Sequence, residues 1–346
     1  MNQIVWKYKS EITNNIEIQN QLPINLMEPS KLKIGVLVPI WTDSLAGVTP
    51  TLSESLSFAR RAEAVGLDSV WLTDHFYWET FIDFRSIGIE PPAELEGIKG
   101  GQWECWTTAA AIAVQTSTIK IGTLVSNTTF RNPALLARTA DNIMELSGGR
   151  LIFGLGAGDF VSEHIAYGFD FERHVSRFEN SLNIIKPLME GKQFSYKGEF
   201  HQIEKAALLP KSQTGTPPIL IGTLKGKPRM SRLVAEFAEM WNCMIAFGDC
   251  NISTYEDAWA PIHDACIRSG RDPESVSQTA TIAVNFSDGP YEIMPTSVPF
   301  SGSLEQIADR FAEYAAKEVE HVSTIPHPWN EDSLDKLSEV LAILRA

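Results

Sequence analysis

From residue 31 onward, short apolar runs alternate with longer amphipathic stretches, eight times over. The runs are IGVLV (34–38), DSVWL (68–72), KIGTLV (120–125), RLIFGL (150–155), PILIG (218–222), MWNCMI (240–245), TIAVNF (281–286) and HVSTI (321–325). Near-continuous apolar strands of this length suit a parallel sheet covered on both faces. Helical patterns fill the gaps over roughly 52–65, 104–116, 133–147, 173–190, 227–239, 252–269, 303–317 and 331–345. Eight strands alternating with eight helices predict an α/β fold, a (β/α)8 TIM barrel, with an open doubly wound sheet as the alternative.

Local chemistry supports the helices. Asn132 is placed to cap the helix over 133–147, Pro133 fits its first position, and Gly148–Gly149 give a left-handed stop. Its inward face is expected to hold Leu135, Leu136, Thr139, Ile143 and Met144; that of 52–65 to hold Leu52, Leu56, Ala59 and Val65. Three longer connections interrupt the alternation, at 76–103, 194–217 and 287–302, and the second contains a hairpin expected to turn at Lys197–Gly198. In a barrel, the loops that follow strands line the active face.

Composition narrows the function. Of the 346 residues 44% are apolar, enough for a large core, and the net charge of −14 disfavours nucleic acid and anionic membrane as partners. Cys105, Cys243, Cys250 and Cys266 show neither disulfide nor zinc spacing, which predicts reduced, buried thiols in a cytoplasmic protein. Residues 1–30 are polar and read as an N-terminal extension, without the apolar core of a signal peptide, ahead of one domain over 31–346.

ELSGGRLIFGLGAGD (145–159) alternates three glycines, Gly154, Gly156 and Gly158, along the fourth strand. The dinucleotide fingerprint G-x-G-x-x-G needs its third glycine one position later. Glycines at a strand end also strip side chains from one face, so that a flat ring can lie against the backbone. A close contact between packed elements would need the same small residues.

The stretches AEAVGLDSVWLTDHF (62–76), ECWTTAAAIAVQTSTIKIGTLVSNTTFRNPALLARTADNIMELSGGRLIFGLGAGD (104–159) and PPILIGTLKGKPRMSRLVAEFAEMWN (217–242) together resemble the bacterial-luciferase-like oxidoreductases, in particular the branch that depends on coenzyme F420. The resemblance implies a (β/α)8 barrel with F420 or FMN at its C-terminal mouth, a small-molecule substrate and a homodimer. His75, beside Asp74, falls where relatives touch the ring; both are candidate proton donors or relays. A non-proline cis peptide would fall at Leu124–Val125, with Ser126 next in line. Gly156, Ala157 and Gly158 would border the ring, and Gly222, Thr223 and Lys225 the cofactor phosphate, Lys227 standing close by.

Trp41, Phe76 and Trp106 are candidate walls of the substrate pocket, with Trp78 and Trp103 near them. Glu163 and His164, the other candidate pocket residues, keep the family pattern G-W-x-E-x-E-H, whereas Asp159 stands in place of its tryptophan and Val161 in place of its first glutamate. Arg131 is a candidate anion partner, and Glu104 either an acid–base group or a helix-terminus residue.

An F420 enzyme would transfer a hydride; an FMN enzyme using reduced flavin would insert one oxygen atom from O2; a third reading is a flavin-binding protein without turnover. A metal-dependent barrel hydrolase would need His and carboxylates at several strand ends, and only the second strand offers such a pair.

Overall fold

A computed structural model describes residues 31–42, 47–224, 227–291 and 297–346; the extension 1–30 and Lys225 lie outside the described residues. Eight parallel strands close on themselves: β1 (Lys33–Leu37), β2 (Ser69–Leu72), β3 (Lys120–Thr123), β4 (Leu151–Gly156), β5 (Ile219–Thr223), β6 (Met240–Met244), β7 (Ser277–Asn285) and β8 (Val319–His327). Each pairs with the next, and β8 returns to β1 with Ile34 opposite Val322. The closed barrel, not the open sheet, is the architecture.

Eight helices wrap it: α1 (Leu52–Ala64), α2 (Cys105–Gln115), α3 (Pro133–Leu146), α4 (His174–Met189), α5 (Pro228–Phe237), α6 (Ile252–Ser269), α7 (Leu304–Ala315) and α8 (Glu331–Arg345). Every residue of β2 and β4 is buried, as a sheet sandwiched between helices and barrel interior requires. Thr51 and Glu54 form a capping box at α1, and Asn132 Oδ1 accepts from the Ala134 and Leu135 amides at α3; such caps each contribute about 1 kcal/mol. Gly148 (φ 64°) and Gly149 (φ 88°) stop α3 in the left-handed region.

Two facing assignments are corrected. Leu52 and Leu135 are exposed, because each points to the outer face of its helix, Leu135 on the side of Asn142 and Leu146 while its neighbours Pro133 and Leu136 are buried; Ser55, Phe58 and Ala62 in α1, and Ala137 and Ala140 in α3, face inward instead. The hairpin also differs in detail. Phe194–Lys197 pairs with Gln202–Ala206, so Lys197 belongs to the strand and the loop spans Gly198–His201.

The connection after β2 is the main elaboration of the mouth. It folds into a hairpin (Tyr77–Glu79 with Lys99–Gly101) and a short helix, Thr80–Ser86. The buried Asp83 carboxylate clamps it down, accepting from the Glu79 amide (2.7 Å) and the Ser162 amide (3.1 Å). Ser162 opens the helix Val161–Tyr167 that follows β4, so two connections are tied into one rim. Among the described residues no helix is long and apolar enough to cross a membrane.

Candidate active site

The C-terminal ends of the strands enclose a cavity of about 970 Å³. This is the upper end of ordinary small-molecule sites, roughly 300–1,000 Å³, with room for a cofactor and a second reactant. Its wall between β3 and β5 is built from backbone geometry. The Leu124–Val125 peptide is cis, at the position the resemblance implied. Immediately after it, Ser126 and Asn127 pair in parallel with Leu155 and Gly156 of β4.

The glycines explain how that step fits. A Cβ on Gly156 would lie 2.4 Å from Val125 Cγ2, and one on Gly222 would lie 3.0 Å from Val125 Cγ1. At Gly158, whose φ is +81°, it would meet the Asn127 amide nitrogen at 2.4 Å. At Gly154 it would strike the Thr123 carbonyl at 1.8 Å. The expectation of a bare backbone wall is therefore corrected. The space beside Gly154 is taken by the Thr123 carbonyl and that beside Gly156, Gly158 and Gly222 by Val125 and Asn127, so the apolar Leu124–Val125 step faces the cavity together with Gly156, Ala157 and Gly158.

His75 lines the cavity with 22% of its side chain exposed, stacked on Phe160 at 4.5 Å between ring centroids. Its Nδ1 lies 2.8 Å from Oε1 of the fully buried Glu163, whose Oε2 accepts from the Phe76 amide. Burial pulls the imidazole pKa down, but the charge and hydrogen bond of Glu163, followed by Asp159 and Asp74, outweigh it and raise it to about 9. His75 is thus an imidazolium at neutral pH, held at Nδ1 by Glu163, and among the described residues its Nε2–H has no partner and faces the cavity. Asp159 also lines the cavity, and burial raises its carboxyl above the ordinary value, helped by Glu163 and Asp83 and opposed by His75 and His164.

Asp74 reaches the cavity edge, but its buried carboxylate is committed. It accepts from Ser126 Oγ (2.8 Å), the Asn127 amide (3.1 Å) and both terminal nitrogens of Arg131 (2.5 and 3.0 Å). Three of these donors fall on Oδ2 and one on Oδ1, which anchors Asp74 to the 124–127 step. Arg131, expected at an anion or on the surface, spends its charge on Asp74 and Glu104. Glu104 caps α2 through the Thr107 amide (2.6 Å).

Of the expected pocket walls, Trp41 faces the cavity, as do Leu124, Val125, Gly156, Ala157, Gly158, Gly222 and Thr223 among the expected cofactor neighbours. Phe76, Trp106, Glu163, His164 and Ser126 are not among its lining residues. Phe76 packs into a cluster with Phe130 and Tyr167. Trp106 lies behind the step, donating from Nε1 to Ser126 Oγ (3.0 Å). Glu163 backs His75, and His164 is pinned between the Phe160 carbonyl (2.6 Å) and Thr129 Oγ1 (2.7 Å). Trp103 is turned outward, donating to the Pro50 carbonyl.

Residues that sequence reasoning did not single out also line the site, chiefly Trp329, Phe84, Phe160, Phe247 and Met244. Trp329 packs edge-on against Trp41 at 4.3 Å and donates from Nε1 to the Leu37 carbonyl (2.9 Å). Its position just after β8 was the available signal.

Comparison with known proteins agrees with this architecture. The family model for luciferase-like monooxygenases matches residues 32–331. The chain is 26% identical over 276 residues to an F420-dependent glucose-6-phosphate dehydrogenase of Amycolatopsis mediterranei (strain U-32), covering 78% of this chain and 75% of that one. Its fold is similar to that of an F420-dependent secondary alcohol dehydrogenase in complex with an F420–acetone adduct (TM-score 0.71, 17% identity, 91% of this chain and 99% of that one). It is similar also to a riboflavin lyase with modified FMN and substrate riboflavin (TM-score 0.73, 15% identity, 91% of each chain). With a family match running almost from β1 to the start of α8, the chain belongs to the luciferase-like monooxygenase family.

Proposed function

We propose that this oxidoreductase takes the deazaflavin F420 and exchanges a hydride with a small organic substrate, His75 being the protein's proton-bearing group at the reacting centre. The reading is carried by one juxtaposition: an apolar step, Leu124–Val125, and an imidazolium, His75, line the same cavity. Support for F420 comes from the glucose-6-phosphate dehydrogenase relative, whose name gives that dependence.

The residues present fit such a cofactor. Val125, seated on Gly156 and Gly222, offers a broad apolar contact for a flat ring. At the β5 end, α5 starts without a side-chain cap at Lys227, so its first-turn amides and the Lys227 ammonium suit a phosphate.

When bound, F420 supplies a two-electron centre that accepts or donates hydride. The chain's residues do the rest. Oxidation of an alcohol requires a proton to leave oxygen, and reduction of a carbonyl requires one to arrive; Nε2 of His75 holds a proton for the second direction. Glu163 fixes the ring plane and keeps the imidazole charged, which stabilises negative charge developing at the substrate oxygen. Phe160 and the rim tied down by Asp83 limit water around His75.

The test is titration of the purified protein with F420 and, separately, FMN, read by cofactor fluorescence, followed by turnover assays that track the visible absorbance of oxidised F420. F420 binding and substrate-dependent loss of that absorbance are expected. Binding of FMN with no binding of F420 would refute the cofactor assignment and point to oxygen-using chemistry.

A further inference from the structure

The cavity's chemistry is unlike that of a sugar-phosphate site. Among the described residues, Lys227 is the only lysine or arginine that lines it, and Lys227 sits at the start of α5, on the side assigned to the cofactor phosphate. Arg131 is withdrawn behind the wall by Asp74 and Glu104. What remains is mostly aromatic and aliphatic, with the His75 and His174 imidazoles and the Asp74 and Asp159 carboxylates among its polar groups. Trp41 and Trp329 form an edge-to-face pair at 4.3 Å, held by the Trp329 Nε1 bond to the Leu37 carbonyl, and Phe84, Phe247 and Met244 continue the surface.

Among the described residues, one carboxylate in this lining is unspent. Asp159 engages the protein through its backbone carbonyl, which accepts from Ser86 Oγ (3.3 Å); among the described residues its carboxylate accepts no hydrogen bond. It stands near two further carboxylates, Glu163 and Asp83, both already satisfied by amide, hydroxyl or imidazole donors. An anionic substrate entering here would find no free guanidinium, and the one imidazolium that could receive it, His75, is already flanked by the Glu163, Asp159 and Asp74 carboxylates. An apolar molecule that carries a donor would find aromatic area and a waiting acceptor.

We propose, on the footing of the oxidoreductase reading, that the substrate is a hydrophobic, non-phosphorylated molecule bearing an ammonium or hydroxyl donor, its apolar body against Trp41 and Trp329 and its donor on the Asp159 carboxylate. Asp159 is then a specificity-determining residue, and its place in a position where the family pattern has tryptophan is what sets this chain's substrate apart.

The experiment is a tryptophan-fluorescence titration of the full chain with four probes: 2-phenylethylamine, benzyl alcohol, phenylacetate and glucose 6-phosphate. The amine and the alcohol should bind at least tenfold more tightly than phenylacetate, and glucose 6-phosphate should give no saturable change over the same concentrations. Asp159→Asn should reduce the amine-to-phenylacetate ratio at least fivefold, Asp159→Glu should restore most of it, and Trp329→Ala should weaken amine and alcohol alike.

Equal or tighter binding of phenylacetate or glucose 6-phosphate by the wild-type protein overturns the proposal, as does an unchanged ratio in folded Asp159→Asn. Should that variant fail to fold, the wild-type order alone decides. F420 and FMN titrations of the same preparation keep the two readings apart. Cofactor binding with a preference for anions defeats only the substrate class, whereas absence of both cofactors defeats the oxidoreductase reading and leaves the probe order to be judged by itself.

Discussion

His321 at the floor of the barrel and His75 at its mouth are both enclosed by protein, yet their surroundings drive them to opposite charge states. His321, on the first part of β8, shares a short contact with Ser69 Oγ (2.6 Å) and packs edge-on against Trp71. Burial, seconded by Lys33, lowers its pKa to about 3, so it is neutral. His75 has carboxylates around it and is held charged. The floor also closes its other polar groups internally. Arg150 donates to the carbonyls of Ser147, Ile119, Ala113 and Thr116 and to Thr116 Oγ1, tying the ends of α2 and α3 to β4. Among the described residues, the mouth leaves His75 Nε2, Trp78 Nε1 and the Asp159 carboxylate without a hydrogen-bond partner. Stability is concentrated where every group is paired, and function where some are not.

The sharpest way to break this division is at Arg150. Arg150→Met should strip partners from several buried carbonyls and cost about 3–5 kcal/mol in urea unfolding, while folded protein keeps its F420 affinity. A loss of affinity without loss of stability would erase the distinction between the two ends. The converse change is His75→Gln, which keeps a donor for Glu163 but removes the titrating Nε2. It should lower kcat/KM about 10²-fold and, by removing the charge that faces the buried Glu163, cost about 1–3 kcal/mol of stability.

The pH dependence sharpens the comparison further, because each histidine acts on its own side of neutrality. The folded pKa of His75, about 9, lies above the free value of 6.5, so its contribution is complete below pH 6.5 and is lost as the pH rises through 9. That of His321, about 3, lies below the free value, so its contribution stands above pH 6.5 and is lost as the pH falls towards 3. Urea unfolding across pH 4 to 10 should show both limbs, each of about 1–3 kcal/mol. His75→Gln should flatten the alkaline limb and His321→Gln the acid one. The smallest effect is expected at Gly222→Ala, whose added methyl would press on Val125 at 3.0 Å. It should weaken F420 binding about two- to threefold and cost about 1 kcal/mol or less.

Much of the scaffold was legible in the chain, and the reason is burial. Strands covered on both faces leave unbroken apolar runs such as RLIFGL, and Asn132-Pro133 with Gly148-Gly149 marks a helix by its ends. Leu135 misled because it is apolar yet lies on the outer face of α3, beside the buried Leu136. The site was less legible because its logic runs between distant residues. The glycines told that side chains were missing, but Val125 and Asn127, which fill those spaces, lie on another strand's end. The proximity of His75 and Glu163, 88 positions apart, depends on closure of the barrel. That Asp74, adjacent to His75, also anchors Ser126, Asn127 and Arg131 could be seen only once the fold brought those residues to it.

The account stands or falls on whether the Val125 step receives the cofactor ring. F420 titration of the wild-type chain beside Gly156→Ala, whose added Cβ would lie 2.4 Å from Val125 Cγ2, tests this most directly. Saturable binding to the wild type and an affinity at least tenfold weaker in a variant that unfolds at a similar urea concentration is the predicted result. No binding by the wild type, or equal affinity in the two proteins, would contradict it.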